Sequence, residues 1–275
     1  MRRQNIPLPS GAIVAMRQLM VKEENHLASA SRSRRAAQDK VLVEIVSMCS
    51  EGFVETGPYS WAAIGGEIKW KDMLAGDMLA AMLGLRKLSY REGAQYDINI
   101  KCPSRVCNHK FTWAVNLDTD LALKTIPKPS FDAFLAGKPM SVEIAGQMVH
   151  FNLQMVKDAE FQEKLERQFP GREMACSLRT RIAKVDGIDS KDLMNWLDGL
   201  GKGPHEGLTS DEAEDLRAAF VEADCGIDTE VEIECPRSLC RNVFAIDLPF
   251  DGIFSPGRAQ AKRKEIRSGA PQSED

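Results

Sequence analysis

The sequence lacks a run of apolar residues long enough to cross a membrane. Its most apolar stretch, from Met73 to Leu85, is shorter than the ~20 residues that a spanning helix needs, and it carries Asp77 in its middle. The start of the chain also lacks the apolar core of an export signal, because polar residues and prolines follow Arg2 and Arg3. We therefore expect no membrane partner and a protein that stays in the compartment where it is made.

Positive charge is not in excess either. The 275 residues include 36 Lys and Arg against 40 Asp and Glu, a net charge of -4, so the surface as a whole lacks the basic field that holds a nucleic-acid backbone. A disordered or fibrous protein is excluded, because 43% of the residues are apolar and 28% are charged. This composition is enough for the core of one large domain or two ordinary ones.

The chain also lacks the short motifs of common catalytic and nucleotide-binding sites. It has four histidines but no His-Glu-x-x-His helix, and it has no Gly-x-Ser-x-Gly turn. Gly201-Lys202 does not belong to a phosphate-binding loop, because Gly203 stands where Ser or Thr would hold magnesium. These absences predict a protein that is not an enzyme.

Seven cysteines, an odd number spread over 275 residues, do not fit a secreted disulfide framework. Four of them fall in two segments of the same kind, from Ile98 to Leu117 and from Val231 to Leu248. Each segment has an alternating strand, Cys-Pro, three further residues, a second Cys, and another alternating strand that ends in Leu. We interpret the segments as two copies of one Cys-x4-Cys knuckle hairpin.

If the two hairpin tips meet, they present four thiolates: Cys102, Cys107, Cys235 and Cys240. Zinc suits such a set, because Zn²⁺ binds thiolate sulfur at ~2.3 Å and four Cys ligands form a closed structural site. The sequence therefore predicts one structural zinc ion. Alternatives stay open, since a Cys-x4-Cys turn is wider than the common Cys-x2-Cys and can also close as a local disulfide or hold free thiols. His109 is an alternative fourth ligand.

The rest of the chain mixes helical and strand patterns, which predicts an α+β fold. A central apolar helix is expected from Leu74 to Leu85, and Thr209 with Glu212 forms a capping box that begins another helix. The further predicted elements are a turn and short strand between Ile6 and Arg17, two helices between Val21 and Ser50, a loop from Gly52 to Gly66, a loop from Ile126 to Pro139, a hairpin from Met140 to Leu153, a charged helix from Met155 to Phe169, and a helix that begins after Asp189.

The two knuckles also suggest a domain organisation. We predict an N-terminal α+β domain over residues 1–125 with the first knuckle, and a C-terminal α+β domain over residues 126–256 with the second. Residues 257–275 have almost no apolar content and form a charged tail that orders only against a partner.

Four features, in this order along the chain, resemble the baseplate hub and hub-assembly proteins of contractile-tailed phages of the T-even type. They cover nearly the whole chain up to about Pro256. Family members typically carry tighter Cys-x2-Cys pairs than the two knuckles here. The features are Leu8-Pro9-Ser10-Gly11 followed by a strand and Glu23-Glu24, the segment from Trp70 to Tyr90 with Gly76-Asp77, the mid-chain Cys-Pro hairpin that ends at Leu117, and Ile227-Asp228-Thr229 through Cys235-Pro236 to Leu248-Pro249-Phe250 with Phe254.

The resemblance implies a virion or assembly protein of the tail baseplate, assembled in the host cytoplasm and without catalytic turnover. Its implied partners are other baseplate, hub, tube or tape-measure proteins in a symmetric assembly. The alternative is a zinc-ribbon adaptor that binds nucleic acid, because Arg105 and Arg237 lie in the knuckles and could contact phosphate. Direct binding of nucleic acid is not expected, since Asp97, Glu232 and Glu234 lie nearby.

Overall fold

The computed structural model describes residues 1–30, 35–201, 207–248 and 253–254. Within them the chain forms eight α-helices and twelve β-strands in small antiparallel sheets, which confirms the predicted α+β class. The helices are α1 (Val21–Ala30), α2 (Arg35–Cys49), α3 (Ala75–Ser89), α4 (Lys128–Leu135), α5 (Asp158–Gln168), α6 (Glu173–Arg181), α7 (Leu193–Leu197) and α8 (Ser210–Ala223). The strands are β1 (Arg3–Pro7), β2 (Ile13–Arg17), β3 (Ser50–Glu55), β4 (Gln95–Lys101), β5 (Lys110–Asn116), β6 (Ala122–Lys124), β7 (Met140–Ile144), β8 (Gln147–Phe151), β9 (Ile182–Val185), β10 (Gly226–Asp228), β11 (Glu230–Glu234) and β12 (Val243–Asp247).

The described strands form five sheets. The strands β1, β2 and β3 form one three-stranded sheet, and β7, β8 and β9 form another. The pairs β4–β5 and β11–β12 are two-stranded hairpins, and β6 pairs with β10. Because β6 lies in the middle of the chain and β10 directly precedes β11, this last pairing brings the second hairpin back to the region of the first.

The apolar helix α3 lies at the centre of the core, where it contacts α2, β1, β2 and β10. Leu83 and Leu85 are buried, as the helical spacing of apolar residues predicts. Gly76, in the first turn of α3, lies against the backbone of the chain that enters β10. A Cβ atom at Gly76 would lie 2.2 Å from the carbonyl oxygen of Cys225 and 2.6 Å from the Cα of Gly226. The missing side chain therefore permits the close packing of α3 on β10.

The buried carboxylate of Asp77 fastens the turn between β1 and β2 to α3. Ser10 donates its backbone N–H to this carboxylate at 2.9 Å and its hydroxyl at 2.5 Å, and the Tyr59 hydroxyl donates at 2.5 Å. The Tyr59 oxygen in turn accepts the N–H of Leu74, just before α3 begins. Burial raises the pKa of Asp77, and the hydrogen bonds from Ser10 and Tyr59 oppose that rise. The Pro-Ser-Gly turn and the Asp of α3, far apart in sequence, are thus parts of one contact.

Substitutions at Asp77 test this contact. Asp77→Ala leaves three buried donors without their acceptor, and we expect it to lower the free energy of unfolding by about 3 kcal/mol or more. Asp77→Asn keeps an acceptor oxygen and should cost less. Because the folded pKa is raised, the native state holds the proton more tightly, and the contribution of Asp77 to stability falls as pH rises from the unfolded pKa of about 4 through the folded pKa. Denaturation curves at several pH values should show that this fall disappears in Asp77→Asn; an unchanged pH slope would contradict the role of the carboxylate.

Several of the predicted elements are wrong in their extent. The stretch from Ile126 to Pro139, expected to be a loop, contains α4, which tolerates Pro129 because the first turn of a helix does not need that N–H. The loop predicted from Gly52 overlaps β3. The strands β1, β6, β9 and β10 and the helix α6 were not predicted, because each is too short to establish a clear period.

The division into domains at residues 125 and 126 stays a prediction, and several contacts cross it. Besides the β6–β10 pairing, the buried guanidinium of Arg86 on α3 donates to the carbonyl oxygen of Ile253, near the end of the described chain. It also donates to the carbonyl oxygens of Gly93 and Gln95. The predicted tail, residues 257–275, lies outside the described residues.

Candidate metal centre

The two Cys-x4-Cys segments form the turns between paired strands. In the first hairpin the last pair of residues is Lys101 with Lys110, and in the second it is Glu234 with Val243. The first cysteine of each turn follows the first strand directly. All four cysteines therefore lie at hairpin tips.

The backbone follows the same path in both turns. The N–H of the first cysteine donates across the turn at 2.9 Å, from Cys102 to the carbonyl oxygen of His109 and from Cys235 to that of Asn242. The residue after the second cysteine has a positive φ, 47° in the first turn and 44° in the second. Non-glycine residues rarely adopt this conformation, so its recurrence at matching positions indicates that the likeness of the two segments extends to the backbone.

The two tips meet in space. The Sγ atoms of Cys102, Cys107, Cys235 and Cys240 all lie within 4.8 Å of one another. Two contacts join the hairpins crosswise: Cys102 Sγ lies 3.8 Å from Cys240 Sγ, and Cys107 Sγ lies 3.8 Å from Cys235 Sγ. A tetrahedron of sulfur atoms around an ion at ~2.3 Å has edges of about 3.8 Å. The four thiols thus lie at metal-binding distance, with the first cysteine of each turn beside the second cysteine of the other.

No local disulfide closes either turn, because all four cysteines are free in the structure. The cluster is therefore compatible with a bound metal or with free thiols. His109 is not part of the cluster. Its ring stacks on Phe111, with centroids 5.8 Å apart, on the strand that leaves the first turn.

Strand alternation explains why the first cysteine of each turn is buried. Each hairpin turns one face towards the core, and the exposed residues alternate with the buried ones. Cys102 and Cys235 continue this alternation and are 0% and 1% exposed, whereas Cys107 and Cys240 are partly exposed. The inward-facing residues are Tyr96, Ile98 and Ile100 on β4 and Val231 and Ile233 on β11.

The surroundings of the tips favour the thiolate of Cys107 over those of Cys235 and Cys240, whose pKa values are raised. A hydrogen bond from the backbone N–H of His109 lowers the pKa of Cys107 to about 7, and the side chain of Arg237 also lowers it. Burial raises the pKa of Cys235 to about 11. Several adjacent thiolates repel one another, so a divalent cation, which compensates their charge, would allow the remaining thiols to ionise.

The three other cysteines lie outside this cluster. Cys49, Cys176 and Cys225 are buried, as expected for small hydrophobic side chains. Burial raises the pKa of Cys49 to about 11 and raises that of Cys225 as well. None of the three belongs to a group of potential metal ligands among the described residues.

Three polar side chains form a row on the sheet of β7, β8 and β9: Ser141, His150 and Asp186. They form no sequence motif, because they lie far apart in the chain. The Ser141 Oγ lies 2.8 Å from Nδ1 of His150, whose Nε2 lies 3.3 Å from a carboxylate oxygen of Asp186. Ser141 and Asp186 are exposed, and the Lys184 ammonium lies 2.9 Å from the same carboxylate oxygen. We interpret the row as cross-strand pairs that stabilise an open sheet surface.

Comparison with known proteins gave no match: no family model, no curated protein and no solved structure is similar to this chain. Among the described residues, no helix has the length and apolar character needed to cross a bilayer.

Proposed function

We propose that the protein is a structural or assembly component of a contractile phage tail baseplate hub, without catalysis, and that one zinc ion joins its two cysteine hairpins. The convergence of Cys102, Cys107, Cys235 and Cys240 is the observation that supports the zinc site. Four cysteine ligands leave no open position on the ion for a substrate or water. Such a site holds parts of a chain together, which suits a protein that binds neighbours.

Tertiary contacts link the features on which the resemblance to hub proteins rests. Several of these features lie at contacts between distant parts of the chain. Ser10 binds the carboxylate of Asp77, and the Tyr90 hydroxyl donates to the carbonyl oxygen of Phe254 at 2.5 Å. The two Cys-Pro turns meet at the thiol cluster. These residues, distant in sequence, are therefore linked to one another by tertiary contacts.

Zinc would contribute most of its stabilising free energy to the two cysteine hairpins. Both cysteine hairpins are two-stranded, and such hairpins are marginally stable in water by themselves. Structural zinc in peptide models contributes about 10–16 kcal/mol of apparent binding free energy. An ion shared by the two tips would therefore fix the middle of the chain to its C-terminal part and present a rigid surface to other tail proteins.

Capture from cells that assemble the phage tail tests the assembly role. With the full-length protein as bait, we expect baseplate, hub, tube or tape-measure proteins to co-purify in fixed ratio. Deletion of the gene should block tail completion. Normal tails without the gene, together with no tail protein in the captured material, would contradict the proposal.

A zinc-ribbon adaptor for nucleic acid is the second candidate, because Arg105, Arg237 and Arg241 are exposed at the tips. Neutralisation of phosphates makes affinity fall steeply as salt rises. A titration of the protein with duplex DNA at several salt concentrations separates the candidates. Tight binding with a steep salt slope, and no binding to tail proteins, would favour the adaptor.

A further inference from the structure

Each knuckle turn holds one aliphatic side chain in water. Val106 is 94% exposed and Leu239 is 91% exposed, and among the described residues they are the two most exposed large hydrophobic side chains. Both lie directly before the second cysteine of their turn. The internal likeness of the hairpins therefore includes an apolar residue that the core does not use.

The turns hold these side chains in fixed positions. The N–H of Cys107 donates to the carbonyl oxygen of Ser104 at 3.1 Å, and that of Cys240 donates to the carbonyl oxygen of Arg237 at 2.8 Å. These bonds span Val106 and Leu239. Because the two tips meet at the thiol cluster, both aliphatic side chains belong to the same end of the molecule.

This end of the molecule is basic, although the chain as a whole has a net charge of -4. Exposed cationic side chains outnumber the single carboxylate of Glu234 in the turns and the strand residues next to them. The cationic residues are Lys101, Arg105, Lys110, Arg237 and Arg241.

We propose that the two tips form a peripheral docking surface for an anionic lipid membrane. Val106 and Leu239 would enter the headgroup layer while the arginines contact lipid phosphates. A phosphate backbone alone would give the aliphatic side chains nothing to bind. A protein partner would need a preformed surface that matches both aliphatic side chains, whereas a fluid headgroup layer accepts them without a preformed shape.

The proposal goes beyond the hub role and revises the expectation of no membrane partner. That expectation was based on the lack of a spanning segment, and a peripheral contact needs none. The capture of tail proteins does not depend on lipid binding, so either proposal can fail without the other.

Co-sedimentation with vesicles tests the docking surface. The full-length, zinc-loaded protein should bind vesicles of phosphatidylcholine mixed with phosphatidylglycerol and bind pure phosphatidylcholine vesicles more weakly. The double variant Val106→Ser/Leu239→Ser should lose about tenfold in partition coefficient per side chain. The matched control Ile64→Ser/Val221→Ser changes residues that are 77% and 68% exposed elsewhere and should bind like the wild type.

Two results would overturn the proposal. The first is that the wild type does not bind anionic vesicles. The second is that the double variant binds them as well as the wild type does, which would show that basic residues elsewhere are responsible for the binding. Binding of duplex DNA without binding of vesicles would indicate that the arginines contact nucleic acid instead.

A second variant, Leu239→Trp, reports directly on the environment of the second tip. Its added fluorescence should shift to the blue more strongly with anionic vesicles than with pure phosphatidylcholine vesicles, and no shift with anionic vesicles would contradict insertion.

Discussion

Cys102→Ser and Cys235→Ser, one in each hairpin, should each abolish zinc binding and lower the free energy of unfolding by about 5 kcal/mol or more. Each change removes one of four ligands, and the hydroxyl of Ser is a poor substitute for a thiolate. Because metal binding contributes folding free energy directly, a loss of this size approaches the total stability of an ordinary domain, about 5–15 kcal/mol. Elemental analysis and chemical denaturation measure the two effects on the same samples.

Cys176→Ser is the matched control, because Cys176 is fully buried on α6 and lies outside the thiol cluster. It should keep its zinc and lose only the modest stability expected of a buried thiol that becomes a hydroxyl. Loss of zinc in only one of the two hairpin variants would contradict a site shared between them. Retention in both would remove the site.

Gly76→Ala should strongly destabilise the packing of α3 on β10. The added Cβ would lie 2.2 Å from the carbonyl oxygen of Cys225 and 2.6 Å from the Cα of Gly226. Both are backbone atoms, so no rotation of a side chain relieves the overlap, and β10 must move away from α3. We expect a loss of about 3 kcal/mol in the free energy of unfolding. Thermal or chemical denaturation measures it.

Gly84→Ala in the same helix separates crowding from helix propensity. A Cβ there would meet the side chain of Ile6 rather than backbone atoms, and Ala favours the helix by about 1 kcal/mol over Gly at both positions. Gly84→Ala should therefore cost clearly less than Gly76→Ala. Equal stability of the two variants would show that the contact between α3 and β10 has no such effect.

Elements were predicted correctly where a short run of consecutive residues holds the whole pattern that defines them. The capping box before α8 forms as expected, with the Glu212 carboxylate accepting the N–H of Thr209 at 2.9 Å. The apolar spacing along α3 and the alternation in the cysteine hairpins are signals of the same kind. The short strands β6 and β10 gave no such signal, because three residues are too few for a period and only their tertiary pairing makes them strands.

The site was predictable in part for the same reason. Matching segments identified Cys102, Cys107, Cys235 and Cys240 as a set, because the turn chemistry repeats along the sequence. Their approach in space depends on contacts between distant parts of the chain, and no local pattern encodes it. The exposed aliphatic residues of the turns were missed as well, since only a folded hairpin shows which side chains the core leaves in water.

Zinc-edge X-ray absorption of the full-length protein, purified under reducing conditions and combined with elemental analysis, tests the central claim most directly. We predict one zinc ion per chain, bound by four sulfur atoms at ~2.3 Å. Substoichiometric metal, or a nitrogen or oxygen ligand in place of one of the sulfur atoms, would contradict it.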